Sequence, residues 1–463
     1  VIQQPRYVDM NKCIACGQCA AKCPKKVVDT YNQGLIKRKA IYVPYSQAVP
    51  LKYTIDPQNC IYLTKGKCGA CEKVCPSGAI HFDDQPKETT LEVGSVILAP
   101  GFQPYDPAGE DIYAYNKSAD VVTALEFERI LSATGPYEGH LLRPSAASQQ
   151  RPPRKIAWIQ CVGSRDINRC ENGYCSSVCC TIAVKQSVMA KEHSAGPLDC
   201  VIFFMDMRTQ GKDFDRYCEN AGRKGVRFVR SRIHSITLAS DSEDLLIRYV
   251  KEDGSTTEEA FDMAVLSTGL QIAPEIAQLS KRLGIDLDPY RFVRSDSFHP
   301  VATSRPGIYA CGAFTGPKDI PQSVMEASAA TCAATEKLAS VRHTRTAVTA
   351  PPLEKDVRRD PPRIGVFVCN CGINIGGVVD VPAVAQDAKT LPNVVYVEEN
   401  LFTCSQDTQD KIAAVIREKA LNRIVIAACT PRTHEALFQE TLINAGLNKY
   451  LLEMANIRNQ DSW

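Results

Sequence analysis

Two runs of cysteine define the chemistry most open to this chain. Cys13, Cys16, Cys19 and Cys23 precede Pro24, and Cys60, Cys68, Cys71 and Cys75 precede Pro76. The first run has the spacing in which three thiolates grip one cubane [4Fe-4S] cluster while the fourth reaches a second cluster. In two-cluster ferredoxin modules this crossing is reciprocal. One cluster is therefore expected on Cys13, Cys16, Cys19 and Cys75, and the other on Cys60, Cys68, Cys71 and Cys23. Seven residues separate Cys60 from Cys68, so the second cluster should sit in a widened ligand loop. Zinc is the alternative, since four thiolates also suit it, but a zinc ribbon has no use for paired Cys-Pro endings.

Two further groups of four stand outside that module. Lys155 to Gln160 reads as the first strand of a nucleotide-binding fold, where a glycine turn should follow. The chain continues instead as Cys161-Val162-Gly163-Ser164-Arg165, with Cys175, Cys179 and Cys180 downstream. Cys179 and Cys180 open a helix, so three thiols can converge with Cys161 at the strand end to hold one cluster. Cys170 is the substitute ligand, and ordinary buried cysteines are the competing reading. The last group is Cys369, Cys371, Cys404 and Cys429, at or near the ends of strands Ile364 to Val368, Val394 to Val397 and Arg423 to Ala427. Parallel α/β folds gather ligands beyond the carboxyl ends of their strands, so a cluster is expected here too; the competing reading is solvent-facing thiols. Cys200, Cys218, Cys311 and Cys332 read as core or incidental residues.

The rest of the chain must supply the elements that hold these residues. Its 463 residues, against domains of about 100 to 200, imply three or four structural units. A net charge of +2 gives no electrostatic reason to expect nucleic acid. No apolar stretch reaches the roughly 18 residues of a membrane helix, and no signal peptide is visible. In a long chain, 21 cysteines at cluster spacings point to metal in a reducing compartment, so a cytoplasmic location is expected. Val1 is not an initiator methionine, and Trp463 follows a strand-like segment, Lys449 to Met454, with no closing element. The sequence reads as part of a longer polypeptide.

Residues 1–88 are expected to form the ferredoxin domain. Gly94 to Pro104, with a turn at Gly101, and Ala264 to Leu270, with a turn at Gly269, are similar to the strands where flavoprotein disulfide reductases cross between their two nucleotide-binding domains. Gly307-Ile308-Tyr309-Ala310-Cys311-Gly312-Ala313, followed by Pro321-Gln322-Ser323 and an alanine-rich helix, resembles the second flavin-binding motif of that superfamily. There a helix N-terminus favours the negative charge of the cofactor. The superfamily usually has aspartate where Ala313 stands. No GxGxxG follows a strand anywhere, so the pyrophosphate-binding half of an FAD site is expected ahead of residue 1. The expected organisation is 89–150 for an FAD-domain return segment, 151–290 for an inner Rossmann-like domain, 291–342 for the FAD-domain C-terminal segment, 343–362 for a linker and 363–463 for a small α/β unit with an amphipathic helix from about Thr408 to Lys419.

With these residues in view, the chain resembles the HdrA family of heterodisulfide reductase components. The resemblance rests on the inserted ferredoxin, on Cys161 to Arg165 with Tyr174-Cys175 and Cys179-Cys180, on Gly316-Pro317-Lys318-Asp319-Ile320-Pro321, and on Cys369-Asn370-Cys371-Gly372-Ile373-Asn374. It implies an α/β fold: a thioredoxin-reductase-like two-dinucleotide-domain flavoprotein with an inserted two-cluster ferredoxin domain, plus a small C-terminal α/β domain. It also implies FAD contacts at Gly101, Gly269, Gly312, Ala313, Pro321, Gln322 and Ser323, and a [4Fe-4S] cluster where a nicotinamide would bind. A family lysine near the flavin N5 corresponds to Lys185. The Cys369 unit resembles the domain that normally begins a family member, so a second module of the same type is expected from about residue 363.

The implied activity is electron bifurcation. A two-electron donor reduces FAD through a partner, one electron leaves to a higher-potential acceptor, and the other leaves through the ferredoxin domain to a low-potential carrier. Expected partners are ferredoxin and other redox subunits, of heterodisulfide-reductase B or C type, hydrogenase- or NADH-linked donors, or benzoyl-CoA-reductase type. Two other readings compete. One is an NAD(P)H-dependent oxidoreductase like the small subunit of glutamate synthase; the other is a non-catalytic scaffold that wires clusters between subunits.

Overall fold

In the computed structural model the chain forms two compact units, residues 90–346 and residues 1–89 with 347–463. The structure describes residues 1–45, 48, 50–149, 151–240, 242–344, 346–347 and 350–462. Trp463 and three positions of the expected linker, 345, 348 and 349, lie outside the described residues.

The 90–346 unit is built on a five-stranded parallel sheet in the order Val226–Arg230, Asp199–Phe204, Lys155–Val162, Met263–Thr268, Val121–Thr123. Its central strands are apolar almost throughout. Lys155–Val162 is buried from Ile156 onward and Met263–Thr268 along its whole length, as a parallel strand covered on both faces requires. Helices Ala124–Leu131 and Cys179–His193 are among those that cover it. The first starts sharply because Thr123 and Glu126 form a reciprocal capping box. A three-stranded antiparallel sheet, Ile236–Leu238, Leu245–Val250 and Thr256–Phe261, completes the crossover before the strand Met263–Thr268.

Two small pairings carry the chain out of this domain. Leu270–Gln271 lies antiparallel to Gln103–Pro104, and Ile308–Ala310 lies parallel to Val96–Leu98. Helix Ile320–Lys337 follows, with Asp319 capping its first turn by accepting from the Gln322 N–H at 2.9 Å.

In the other unit, the ferredoxin portion is made of short antiparallel pairs around helices Gln18–Lys22, Ile61–Lys65 and Ala70–Lys73. Gly17 and Gly69 precede the first and third of these helices in left-handed conformation. Each glycine lies between two cysteines, so the sharp turn lets both thiols face inward. The seven residues between Cys60 and Cys68 hold the helix Ile61–Lys65, closed by Gly66 with φ +64. The widened loop is thus an added helical turn.

The C-terminal portion has a four-stranded parallel sheet in the order Val394–Asn400, Ile364–Cys369, Arg423–Ala428, Leu452–Asn456. Helices Val381–Ala388, Gln406–Glu418 and Pro431–Asn444 pack on it. The second half of the stretch read as a linker is docked on this sheet and its helices. The Lys355 N–H donates to the Gly446 carbonyl at 2.9 Å, and Val357 is buried in the same core as Phe438 and Leu447.

Candidate cluster and flavin sites

The ferredoxin cysteines fall into two cavities with the crossed membership expected from the sequence. Cys13, Cys16, Cys19 and Cys75 line one cavity with Ile80 and Tyr53. Cys23, Cys60, Cys68 and Cys71 line another with Ile41 and Phe82. Burial and the neighbouring thiols push Cys19 up to about 11 and Cys71 up to about 12. Such thiols ionise readily only against added positive charge, which a cluster's iron provides. Cys75 moves the other way. Burial raises it, but N–H donors at Ala79, Ser77 and Gly78 and the Ser77 hydroxyl outweigh that.

Four thiols spread around an apolar cavity suit a larger inorganic core.

The third group sits at the carboxyl end of the central parallel strand. Cys161 is its penultimate residue and adopts φ +64. Cys179 and Cys180 begin the helix Cys179–His193, and both are buried. The Cys179 thiol hydrogen-bonds to both Cys161 and Cys180, which raises Cys179 and lowers its two partners, Cys161 to about 7. Burial opposes the fall at Cys161, and the Arg165 guanidinium assists it. Cys175 precedes them on a loop whose Ser177 N–H donates to its sulfur at 3.4 Å. Cys170 is turned elsewhere, its thiol donating to the Asp166 carbonyl at 3.0 Å.

This loop is pinned from several sides. The Arg165 N–H donates to the Tyr174 carbonyl at 3.0 Å, the Asn172 amide to the Gly163 carbonyl at 3.1 Å, and the Tyr174 hydroxyl to the Leu270 carbonyl at 2.8 Å. A side chain on Gly163 would collide with the Tyr105 ring, and one on Gly269 would lie 2.7 Å from the Gly163 carbonyl oxygen. Gly269, expected as a flavin contact, has a packing reason to be glycine: it lets the crossover strand lie flat against the cysteine turn.

The fourth group also converges. The Cys369 sulfur accepts from the N–H groups of Cys371 at 3.3 Å and Thr403 at 3.4 Å. Burial raises Cys404 and Cys429, and the charges of Cys369 and Cys371 raise both further. Cys371 has φ +46, as Cys68 has +106 in the ferredoxin portion. Non-glycine residues held there cost on the order of 1–3 kcal/mol each and concentrate at functional sites.

Gly101 and Gly312 both follow the parallel pair Val96–Leu98 and Ile308–Ala310, with φ +76 and +71. A Cβ on Gly101 would meet nothing within 4 Å, and one on Gly312 only the Ser323 hydroxyl, at 4.0 Å. This open bare backbone fits the second half of a flavin site. Ser323 and Gln322 lie in the first turn beyond Pro321, with their N–H groups taken by Asp319. Where Ala313 replaces the usual aspartate, a carboxylate arrives from the helix instead. Glu326 accepts from the Gly312 N–H at 2.9 Å and the Thr315 hydroxyl at 2.8 Å, and pairs with the nearly buried Lys318. Sequence reasoning missed Glu326, an acid in the second turn of that alanine-rich helix. Lys185 Nζ is paired with Glu128 at 2.8 Å.

Residues 12–79 match the model of the 4Fe-4S dicluster domain, and residues 176–331 that of the pyridine nucleotide-disulphide oxidoreductases. Among curated proteins, the iron-sulfur HdrA component of the CoB–CoM heterodisulfide reductase of Methanocaldococcus jannaschii is 41% identical over 337 residues, 72% of this chain and 50% of its own length. The HdrA component of the H(2):CoB-CoM heterodisulfide,ferredoxin reductase of Methanothermobacter marburgensis is 36% identical over 71% of this chain and 49% of its own length. The chain thus spans about half the length of these relatives. Among solved structures, thioredoxin reductases of T. acidophilum and Lactococcus lactis align with TM-scores of 0.34 and 0.35 at 14% and 16% identity, covering 56% and 65% of this chain and 68% and 86% of theirs. The two family matches make [4Fe-4S] clusters and FAD the cofactors, on the expected α/β flavoprotein fold with a ferredoxin domain. No described helix is long and apolar enough to cross a membrane. The chain belongs to the HdrA family of heterodisulfide reductase components, which are iron-sulfur flavoprotein oxidoreductases.

Proposed function

We propose that this chain is the electron-relay segment of a flavin-based bifurcating or confurcating reductase. It connects a two-electron donor, a low-potential ferredoxin and a higher-potential acceptor. The observation that carries the reading is the convergence of Cys161, Cys179 and Cys180 at the carboxyl end of the central parallel strand. A dinucleotide-binding domain keeps its phosphate-binding glycine turn there; this chain keeps thiols. In this reading Cys161, Cys175, Cys179 and Cys180 hold a third [4Fe-4S] cluster, and Cys369, Cys371, Cys404 and Cys429 a fourth. FAD, when bound, accepts two electrons, and clusters accept one at a time.

The chain's own residues set the boundary conditions. The glycine-lined strand ends at Gly101 and Gly312 let a flat ring system approach the backbone. Lys185, on the helix that Cys179 and Cys180 open, supplies positive charge beside that ring. Relatives named for hydrogen, formate or ferredoxin besides the heterodisulfide support other redox subunits as partners. A cytoplasmic location and a second module of the same type beginning in the C-terminal portion belong to the same reading.

The test is anaerobic quantitation of iron, sulfide and flavin on the intact complex, with EPR during reductive titration. About sixteen irons per copy of this segment, four per cluster, with bound FAD, is the expected result. About eight irons would leave the Cys161 and Cys369 groups as structural thiols and overturn the relay.

A further inference from the structure

Two of the thiols at the inner-domain site are tied to one charged chain that no metal ligand accounts for. The Arg165 guanidinium hydrogen-bonds to the Cys161 sulfur and pairs with Asp206. The other Asp206 oxygen accepts from Arg208 Nε at 3.0 Å, and the Arg208 backbone N–H donates to the Cys180 sulfur. The path runs from thiol to guanidinium to carboxylate to a second guanidinium, and through the Arg208 backbone N–H to the second thiol. The Arg165 backbone is held in place at the foot of this path. It adopts φ +56, and its own N–H is committed to the Tyr174 carbonyl at 3.0 Å. Asp206 and Arg208 follow directly after the parallel strand Asp199–Phe204, so all three groups meet at the carboxyl edge of one rigid sheet.

We infer that Arg165, Asp206 and Arg208 form an electrostatic clamp that sets the reduction potential of the Cys161 cluster. The inference rests on the cluster assignment under Proposed function. Cluster potentials respond to local charge and to hydrogen bonds on the sulfurs. Reduction adds one negative charge to the cluster. Arg165 favours that state through its charge and its N–H donor; Asp206 opposes it and partly cancels the arginine. The three are positioning residues, since none carries the electron itself.

The clamp makes a prediction of sign that a merely structural role does not. In the full-length protein with its partner subunits, Arg165→Met removes the positive charge and the donor, and the midpoint of the inner cluster moves negative. Asp206→Asn removes the opposing charge, and the midpoint moves positive. Each variant should change the reduced-to-oxidised ratio at fixed poise by about tenfold, about 59 mV for a one-electron couple. Arg165→Lys should fall between Met and the native residue. EPR-monitored redox titration reads all three while iron content stays constant. Midpoints that do not move, or that move the same way in the Met and Asn variants, overturn the clamp. Loss of about four irons from both variants also overturns it, by making the pair a folding element. Cys161→Ala tests the underlying assignment separately: a variant with undiminished iron and unchanged EPR spectrum would remove the cluster itself from the site.

Discussion

Lys185 gives its ammonium to both oxygens of Glu128, at 2.8 and 2.9 Å. The carboxylate is fixed in turn, because the Gln186 amide donates to it at 3.1 Å while the Gln186 carbonyl accepts from the buried Trp158 indole at 3.1 Å. The lysine side chain is 45% exposed, and exposed pairs of this kind contribute about 0–1 kcal/mol to stability. Lys185→Ala should therefore leave chemical denaturation almost unchanged while the flavin midpoint moves negative, because a positive charge beside the reduced ring is lost. An unchanged flavin midpoint would remove Lys185 from the proposed function.

The crossed cavities give a rule for combining substitutions. Cys75→Ser should abolish the same cluster as Cys13→Ser, so each single variant and the double variant should lose about four irons. Cys75→Ser combined with Cys71→Ser should lose about eight. Iron analysis of the four proteins decides the matter, and additive losses for the Cys13 and Cys75 pair would mean that the two thiols serve different clusters.

Gly269→Ala tests whether the crossover strand positions the inner cysteines. The new methyl would stand 2.7 Å from the Gly163 carbonyl oxygen and 3.1 Å from the Ser164 Cβ, and overpacking of this kind costs about 1–3 kcal/mol. The expected result is a lower melting point with weakened EPR signal from the inner cluster, the ferredoxin signals persisting. A variant with wild-type spectra and melting would show that the turn relaxes freely.

Stability of the inner domain should depend on a single buried cation. Arg143 is fully buried and binds Asp120 at 2.8 Å, Asp262 at 2.9 Å and Asp244 at 3.3 Å, with Asp120 itself only 1% exposed. Arg143→Met strands the Asp120 carboxylate without its partner, a change that costs about 3–5 kcal/mol when a buried pair is broken. Urea denaturation should show that loss, and a cost below about 1 kcal/mol would mean that water reaches the aspartate.

The ferredoxin portion was legible because its ligands are local: a few residues of spacing encode which thiols face inward. The inner-domain strand Lys155–Val162 was legible for a similar reason, being a short apolar run that ends in a functional turn. Partners distant in sequence were not. Arg143 meets acids 23, 101 and 119 residues away, and nothing in its neighbourhood marks it as buried. The meander strand Leu245–Val250 alternates buried and more exposed positions in period two, but six residues without a motif at either end do not say which strand they pair with. Helix Pro431–Asn444 was missed because its polar composition hides the buried stripe at Phe438, Thr441 and Leu442. Glu326 required the fold, since only helix Ile320–Lys337 brings it back to Gly312.

The left-handed backbone at Cys161 reaches beyond metal binding. Dinucleotide folds place glycine at such turns so that a pyrophosphate can rest against bare peptide. Here a Cβ and a sulfur fill that surface, and they remain when every iron is removed. Under the proposed function, the same Cβ would keep a nicotinamide's phosphates off this turn in the apoprotein as well. On that reading, the backbone of Cys161 sets what the strand end can take before any cofactor arrives.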